Sequence, residues 1–309
     1  MPYINSVGQR PTKQKIKIQI NKKMNTDFEK SQDAFEFTTL KEIIIQLLQN
    51  TGYLVVGNTT GIASGFDRMD EITKGFQKSE LSVFASKPGT GKTAFLLSLL
   101  FNIASKSGKT VGVFSPERSA VKMFNRLLES ETRQSMKKIV AGEIKDSEKE
   151  QINSILYTLS KAEIYVDDSS SMQKEIFYKR CKQLKNKYGA DIILIDGFEM
   201  FSCSTISDVE SNTDEQRTVL EDIKEIANEL ELPMIVFSHL VNTNTLSDGM
   251  PSMQNVCDYT KEVADSIYLI QRQSITDIAN IVIAKHANIE ESVVIPLKFI
   301  ESIDKFVDL

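Results

Sequence analysis

From residue 81 onward, short apolar runs alternate with longer stretches of helical period. The runs are LSVFAS at 81–86, TVGVFS at 110–115, EIYVDD at 163–168, DIILID at 191–196, MIVFSH at 234–239, DSIYLI at 265–270 and NIVIAK at 280–285. Each has the length and flanking polar residues of a strand. Between them, segments such as TAFLLSLLFNIASK from Thr93 and EQRTVLEDIKEIANEL from Glu215 carry the spacing of amphipathic helices. Strands separated by helices predict an α/β class with a mainly parallel sheet flanked by helices. The last strands follow one another without helices, which leaves antiparallel pairing open to them.

Upstream, TTLKEIIIQLLQN (38–50) places Leu40, Ile43, Ile44, Leu47 and Leu48 on one helical face. Thr39 and Glu42 have capping-box spacing, and Gly52 stops the helix. Residues 1–37 show no sustained period and read as a flexible arm. The organisation expected is therefore an arm over 1–37, a linker helix and loop over 38–60, and one α/β domain over 61–309.

Composition narrows the choices. With 37 Lys+Arg against 42 Asp+Glu the net charge is −5, so no overall basic field points to nucleic acid, and any such binding must be local. Cys181, Cys203 and Cys257 have no zinc or CxxC spacing and suit a reducing compartment. No apolar run approaches the roughly 18 residues of a membrane span, and the N-terminus lacks the apolar core of a signal peptide. The expectation is a cytoplasmic protein with no membrane partner.

One segment carries specific chemistry. Ser86-Lys87-Pro88-Gly89-Thr90-Gly91-Lys92-Thr93 leaves a strand and opens a helix, the context of a phosphate-binding Walker A loop. Gly89 and Gly91 let backbone N–H groups turn onto phosphate oxygens. Lys92 reaches the β and γ phosphates, and the Thr93 hydroxyl ligates Mg²⁺. Ser86 stands where Gly or Ala is usual, and its small size makes the departure minor. Asp196, at the end of IILID, is the matching Walker B carboxylate and second metal residue. Glu117, just past TVGVFS, lies at the carboxyl edge of the sheet, where a carboxylate orients or deprotonates an attacking water. Its plain alternative is a solvated Glu at a helix start. ATP and Mg²⁺ are the cofactors these residues imply.

The order of motifs from about Gly61 to Leu309 resembles the C-terminal, RecA-like P-loop ATPase domain of the DnaB family of ring-shaped replicative helicases. The resemblance rests on GFDRMDEITKGFQKSEL (65–81), VFSPE (113–117), the Walker B strand, ELPMIVFSHL (231–240) and VIAKHANIEESVVIPLKFIESIDKFVDL (282–309), together with IYVDDSS (164–170). It implies a homo-hexamer with ATP between subunits, single-stranded DNA in a central channel, replication proteins as further partners, and movement driven by hydrolysis. By the same resemblance Glu117 is the catalytic carboxylate, helix 38–50 is a linker helix that docks on a neighbour, and His239 occupies the polar sensor position usually held by Gln. Lys285 is the lysine that reaches the neighbour's γ-phosphate.

Departures from the family pattern matter equally. Where the family reads Lys-x-Arg-Asn-Gly, this chain reads Lys285-His286-Ala287-Asn288-Ile289, so the arginine finger is missing. A finger is worth about 10³–10⁵ in rate, roughly 4–7 kcal/mol of barrier. His286 reads equally as solvated or functional. The DNA-facing loops, 202–216 and 241–259, contain no Lys or Arg, so the grip on DNA is expected to be weak. Two functions follow from the sequence. The leading one is an ATP-dependent DnaB-like helicase or translocase of DNA replication. The alternative is a degenerate relative that binds ATP and organises or regulates partners without unwinding. A recombinase shares the fold, but the motif order and the C-terminal KxxN segment disfavour it.

Overall fold

The computed structural model describes residues 59–170, 173–201, 212–241, 249–272 and 276–309. All belong to the unit Thr51–Leu309, which divides from Met1–Asn50. The arm over 1–37, helix 38–50, Cys203 and, within the two predicted DNA-facing loops, residues 202–211 and 242–248 lie outside the described residues.

In chain order the described elements begin with α1 (Asp67–Thr73), β1 (Leu81–Ser86), α2 (Lys92–Phe101), β2 (Val111–Phe114), α3 (Ala120–Thr132), α4 (Met136–Ala141), α5 (Asp146–Lys161) and β3 (Ile164–Asp167). Next come α6 (Lys174–Tyr188), β4 (Ile192–Asp196), α7 (Asn212–Glu229), β5 (Met234–His239), α8 (Asp258–Val263), β6 (Ser266–Arg272), β7 (Ile278–Lys285), β8 (Val293–Ile300) and β9 (Lys305–Asp308). The nine strands form one sheet in the order β3-β2-β4-β5-β1-β6-β7-β8-β9. The first six are mutually parallel, and β7, β8 and β9 join antiparallel. All seven strands expected from the apolar runs form.

Strands β8 and β9 extend the sheet beyond those seven. β8 alternates, with Ile295, Leu297 and Phe299 buried and Val294, Pro296 and Lys298 exposed, so it offers no continuous apolar run. β9 is only four residues long and depends on its neighbours for definition. Its Phe306 N–H donates to Ser98 Oγ of α2 at 3.1 Å, which ties the last strand to the helix behind the phosphate loop.

Strand alternation sorts the core into two layers. On one face, Phe84, Val111, Val113, Ile192, Leu194, Ile235 and Phe237 pack against α2. On the other, Leu81, Val83, Ile193, Ile195, Met234 and Val236 meet α6 and α7. Phe84 is the centre of the first layer: its ring stacks on Tyr268 at 4.4 Å and on Phe237 at 5.5 Å, with Phe95 of α2 at 5.1 Å. Helix α2 is buried at nine of its ten positions. A helix apolar on nearly every side belongs inside a domain, and here it fixes where the phosphate loop must end. Cys181 is buried and Cys257 half-buried, both as free thiols. No helix among the described residues is long and apolar enough to cross a membrane.

His286, open between solvated and functional in the sequence, is buried. Its Nδ1 accepts the Asn288 N–H at 3.0 Å, while Asn288 Nδ2 donates to the carbonyls of Ile72 and Thr73 at the end of α1. The pair therefore fastens the end of β7 to the first helix. Burial lowers the His286 pKa below its ordinary 6.5. A folded-state value below the unfolded one gives stability that is fully present above about pH 6.5 and is lost as pH falls through the folded value. Substituting His286→Asn keeps an acceptor for the Asn288 N–H and removes the titration. Its thermal midpoint is expected to fall less between about pH 7 and pH 5 than that of the parent chain, as followed by circular dichroism. Equal slopes would refute this role.

Candidate active site

The site is built along four neighbouring strand ends, β1, β5, β4 and β2, at the carboxyl edge of the parallel sheet, where open α/β folds bind ligands. β1 ends at Ser86, which is fully buried, and the chain then passes through Lys87, Pro88, Gly89 and Thr90 into α2. The Thr90 hydroxyl and N–H both bond the Lys87 carbonyl, at 2.6 and 3.3 Å, closing a tight turn. Gly89 and Gly91 have φ of 80° and 100°, a conformation that L side chains rarely adopt. At Gly91 a Cβ would also stand 3.2 Å from the Phe306 ring of β9. The loop is thus curled as phosphate binding requires and braced from behind by the last strand. Thr93, buried, sits in the first turn of α2.

Three predicted side chains converge beside the loop. Lys92 Nζ lies 3.3 Å from Asp196 Oδ1 and 3.5 Å from His239 Nε2. Lys92 and Asp196 are 8% and 1% exposed, so the charges meet away from water, where removing one partner costs about 3–5 kcal/mol. The Lys92–Asp196 contact is an ion pair by distance but not a hydrogen bond by angle, and Asp196 Oδ1 has no hydrogen-bond partner among the described residues. A buried, under-satisfied carboxylate oxygen beside the Thr93 hydroxyl fits a hydrated divalent cation, which would take the hydroxyl and phosphate oxygens as ligands and meet the carboxylate through its bound water. No group of three His, Cys, Asp or Glu among the described residues forms a separate metal cluster.

Glu117 follows β2 and is exposed. It lies over Gly197, the residue after Asp196, so that a Cβ on Gly197 would come within 2.8 Å of Glu117 Cγ and 3.0 Å of its Oε1. Gly197 has φ 84°. Both facts demand glycine there, and both serve to bring the Glu117 carboxylate against the Asp196 strand end. Sequence reading passed over Gly197. It also passed over Glu199, whose Oε1 accepts the Ser238 hydroxyl at 2.9 Å and so links the turn after β4 to the residue before His239. The motif order placed these residues near the site, but only the strand register shows which of them meet.

Lys285 is placed differently from the other predicted residues. Its Nζ donates to the carbonyls of Lys261 and Ala264 at 2.9 and 2.6 Å, capping the C-terminal end of α8. That contact is the favourable one for a cation at a helix end. Reaching another subunit's nucleotide would require its release. Ala287 is exposed.

A parallel sheet with the order 3-2-4-5-1-6, a curled glycine loop entering a buried helix, and acidic ends on adjacent strands define a RecA-like P-loop nucleotide-binding domain. The profile described as "DnaB-like helicase C terminal domain" matches residues 61–308, and the chain belongs to that family. It is similar to "Replicative DNA helicase DnaB" of Geobacillus stearothermophilus, 31% identical over 285 residues that cover 88% of this chain and 62% of the relative. "Replicative DNA helicase DnaC" of Bacillus subtilis (strain 168) is 29% identical with the same coverage. The chain thus spans about three fifths of the length of these curated relatives. Among solved structures, one ATPase domain superposes with a TM-score of 0.79 at 23% identity, covering 89% of this chain and 100% of that one. "The Structure Of A DnaB-Like Replicative Helicase And Its Interactions With Primase" gives 0.76 at 23%, covering 94% and 72%. These two likenesses establish the fold.

The Glu117–Gly197 contact is open to a direct test. Gly197→Ala forces a left-handed backbone costing roughly 1–2 kcal/mol and pushes the Glu117 side chain away. The expected result is a kcat for ATP lowered at least about tenfold, equivalent to roughly 1.4 kcal/mol, with nucleotide affinity nearly unchanged. Steady-state turnover and equilibrium nucleotide binding measured side by side would show whether the two separate.

Proposed function

We propose that this chain is the motor portion of a ring-forming, ATP-dependent DNA helicase or translocase of replication, with ATP and Mg²⁺ bound at the loop from Ser86 to Thr93. The observation that carries the reading is the convergence of Lys92, Asp196 and His239 on a curled glycine loop, with Glu117 held at the next strand end. Thr93 and Asp196 are the residues that would hold the metal. When bound, Mg²⁺ neutralises charge on the phosphates and orients them.

In this reading Lys92 exchanges partners as nucleotide binds. Its ammonium, now against Asp196 and His239, turns to the β and γ phosphates. Asp196 is then left as the anion facing the metal, and His239 stands within hydrogen-bonding range of the site to sense the terminal phosphate. Glu117 orients the attacking water and accepts its proton. Assembly as a homo-hexamer, single-stranded DNA in the channel and contacts with other replication proteins belong to the same proposal. A second reading, an ATP-binding relative that organises partners without unwinding, is favoured by specific observations: Ala287 replaces the finger, Lys285 is engaged at α8, and residues 202–216 and 241–259 lack basic side chains.

ATPase turnover with and without single-stranded DNA, at a stated salt concentration, tests the helicase reading. Stimulation by DNA is expected, together with loss of nucleotide binding in Lys92→Ala. Full activity in that variant would sink the site assignment, and turnover indifferent to DNA would favour the second reading.

The missing finger has its own expected outcome. Ala287 is exposed, so Ala287→Arg adds a planar cation free to reach a neighbour. It should raise kcat at least about tenfold in oligomers, with little change in nucleotide affinity, because the charge it meets develops in the transition state. No gain in the variant, with parent turnover already at about 1–100 s⁻¹, would remove the main support for the second reading.

A further inference from the structure

Among the described residues, five buried side-chain oxygens have no hydrogen-bond partner: Ser105 Oγ, Ser115 Oγ, Glu131 Oε1, Asp196 Oδ1 and Glu199 Oε2. Three of these stand at the carboxyl ends of β2 and β4, so the shortfall is concentrated where the candidate site lies. Orphaned buried polar atoms are rare in folded proteins and each calls for a partner.

Strand register separates the three. Phe114 of β2 pairs with Ile195 of β4 in a parallel ladder, and one step further sets Ser115 opposite Asp196. The Ser115 N–H still donates to the Asp167 carbonyl at 2.9 Å, so extended geometry continues through that residue. Alternation then places the Ser115 and Asp196 side chains on the face that carries Val113 and Leu194, the one covered by α2. That face also receives Lys92 and Thr93, at the start of α2. Glu199 differs, since its bond to Ser238 ties it to the face that carries Met234 and Val236. Ser115 and Asp196 are therefore neighbours on the nucleotide side, fully or almost fully buried, and Ser115 Oγ and Asp196 Oδ1 each lack a hydrogen-bond partner.

We infer that Ser115 is a positioning residue for the hydrated divalent cation at Asp196, an inference that rests on reading the loop as a magnesium–nucleotide site. Water in the hydration shell of a cation directs its lone pair at the ion and keeps both protons for donation. It thus needs two acceptors. Ser115 Oγ and Asp196 Oδ1, on adjacent strands of one sheet face, are two acceptors in need of such donors. Mg²⁺ sheds water reluctantly and commonly retains several ligating waters, so a site that grips the shell suits it. A serine kept only for its size would be replaceable by alanine without effect on the metal, and this is where the two explanations part.

The test uses the full chain and a fluorescent, non-hydrolysable ATP analogue titrated with Mg²⁺. For Ser115→Ala the expected result is an Mg²⁺ midpoint raised about fivefold, the worth of one hydrogen bond, with analogue affinity in EDTA unchanged. The melting temperature should stay level or rise, because alanine removes an orphaned hydroxyl. An Mg²⁺ midpoint equal to that of the parent chain overturns the inference, and so does an equal loss of analogue affinity with and without metal. Should the parent chain itself bind the analogue with no response to Mg²⁺, the magnesium–nucleotide reading fails, and the inference fails with it.

Discussion

The buried ion pair between Lys92 and Asp196 is the constraint on which the rest of this structure depends. Each charge would be prohibitively unfavourable in the interior alone, and each is tolerable because the other lies 3.3 Å away. The pair joins a loop fixed by β1 and α2 to the end of β4, with β5 and His239 between them. On the proposed reading, a magnesium–nucleotide would bind by an exchange of partners: phosphate would take the place of the carboxylate around the ammonium, Asp196 would be left to face the metal, and neither side chain would have to be newly desolvated. The pair is held by charge at 3.3 Å and makes no directed hydrogen bond.

Everything around the pair serves to keep it in place. Phe84, stacked between Tyr268, Phe237 and Phe95, locks β1 to its two neighbours and to α2. At the opposite end of the same strand, Asp265 accepts the Leu81 N–H at 2.7 Å and takes the Lys224 ammonium at 2.5 Å, anchoring its start to α7. Gly197 leaves room for Glu117, and the Ser238–Glu199 bond holds the end of β5 to the turn after β4. Two carboxylates and a histidine from three strands are thereby registered against one loop.

The phosphate loop was legible in the sequence because its residues are contiguous and its context, strand then helix, is local. Asp196 and Glu117 were legible by their places at and just past strand ends, and His239 by its place in the order of motifs. Register across the sheet was not. Along the chain the relevant strands run β1, β2, β4, β5, whereas in space they run β1, β5, β4, β2. Whether Glu117 meets Gly197, or Ser115 faces Asp196, depends on that reordering. β8 and β9 escaped for a related reason: one alternates instead of running apolar, and the other is defined by partners distant in sequence. His286 gave no sign of its burial, since a histidine among polar neighbours looks the same whether it is solvated or folded under the end of α1.

The bracing of the loop by β9 bears on how the protein comes to be folded. Phe306 and Ser98 are 208 residues apart in the chain, and the Phe306 ring lies against Gly91 in the finished site. During vectorial synthesis the glycine loop, β1 and α2 emerge long before the strand that backs them. Contacts this distant in sequence carry a large loop-closure entropy and form late. A nascent chain therefore holds the residues of its glycine loop, yet not the braced loop, until β9 docks.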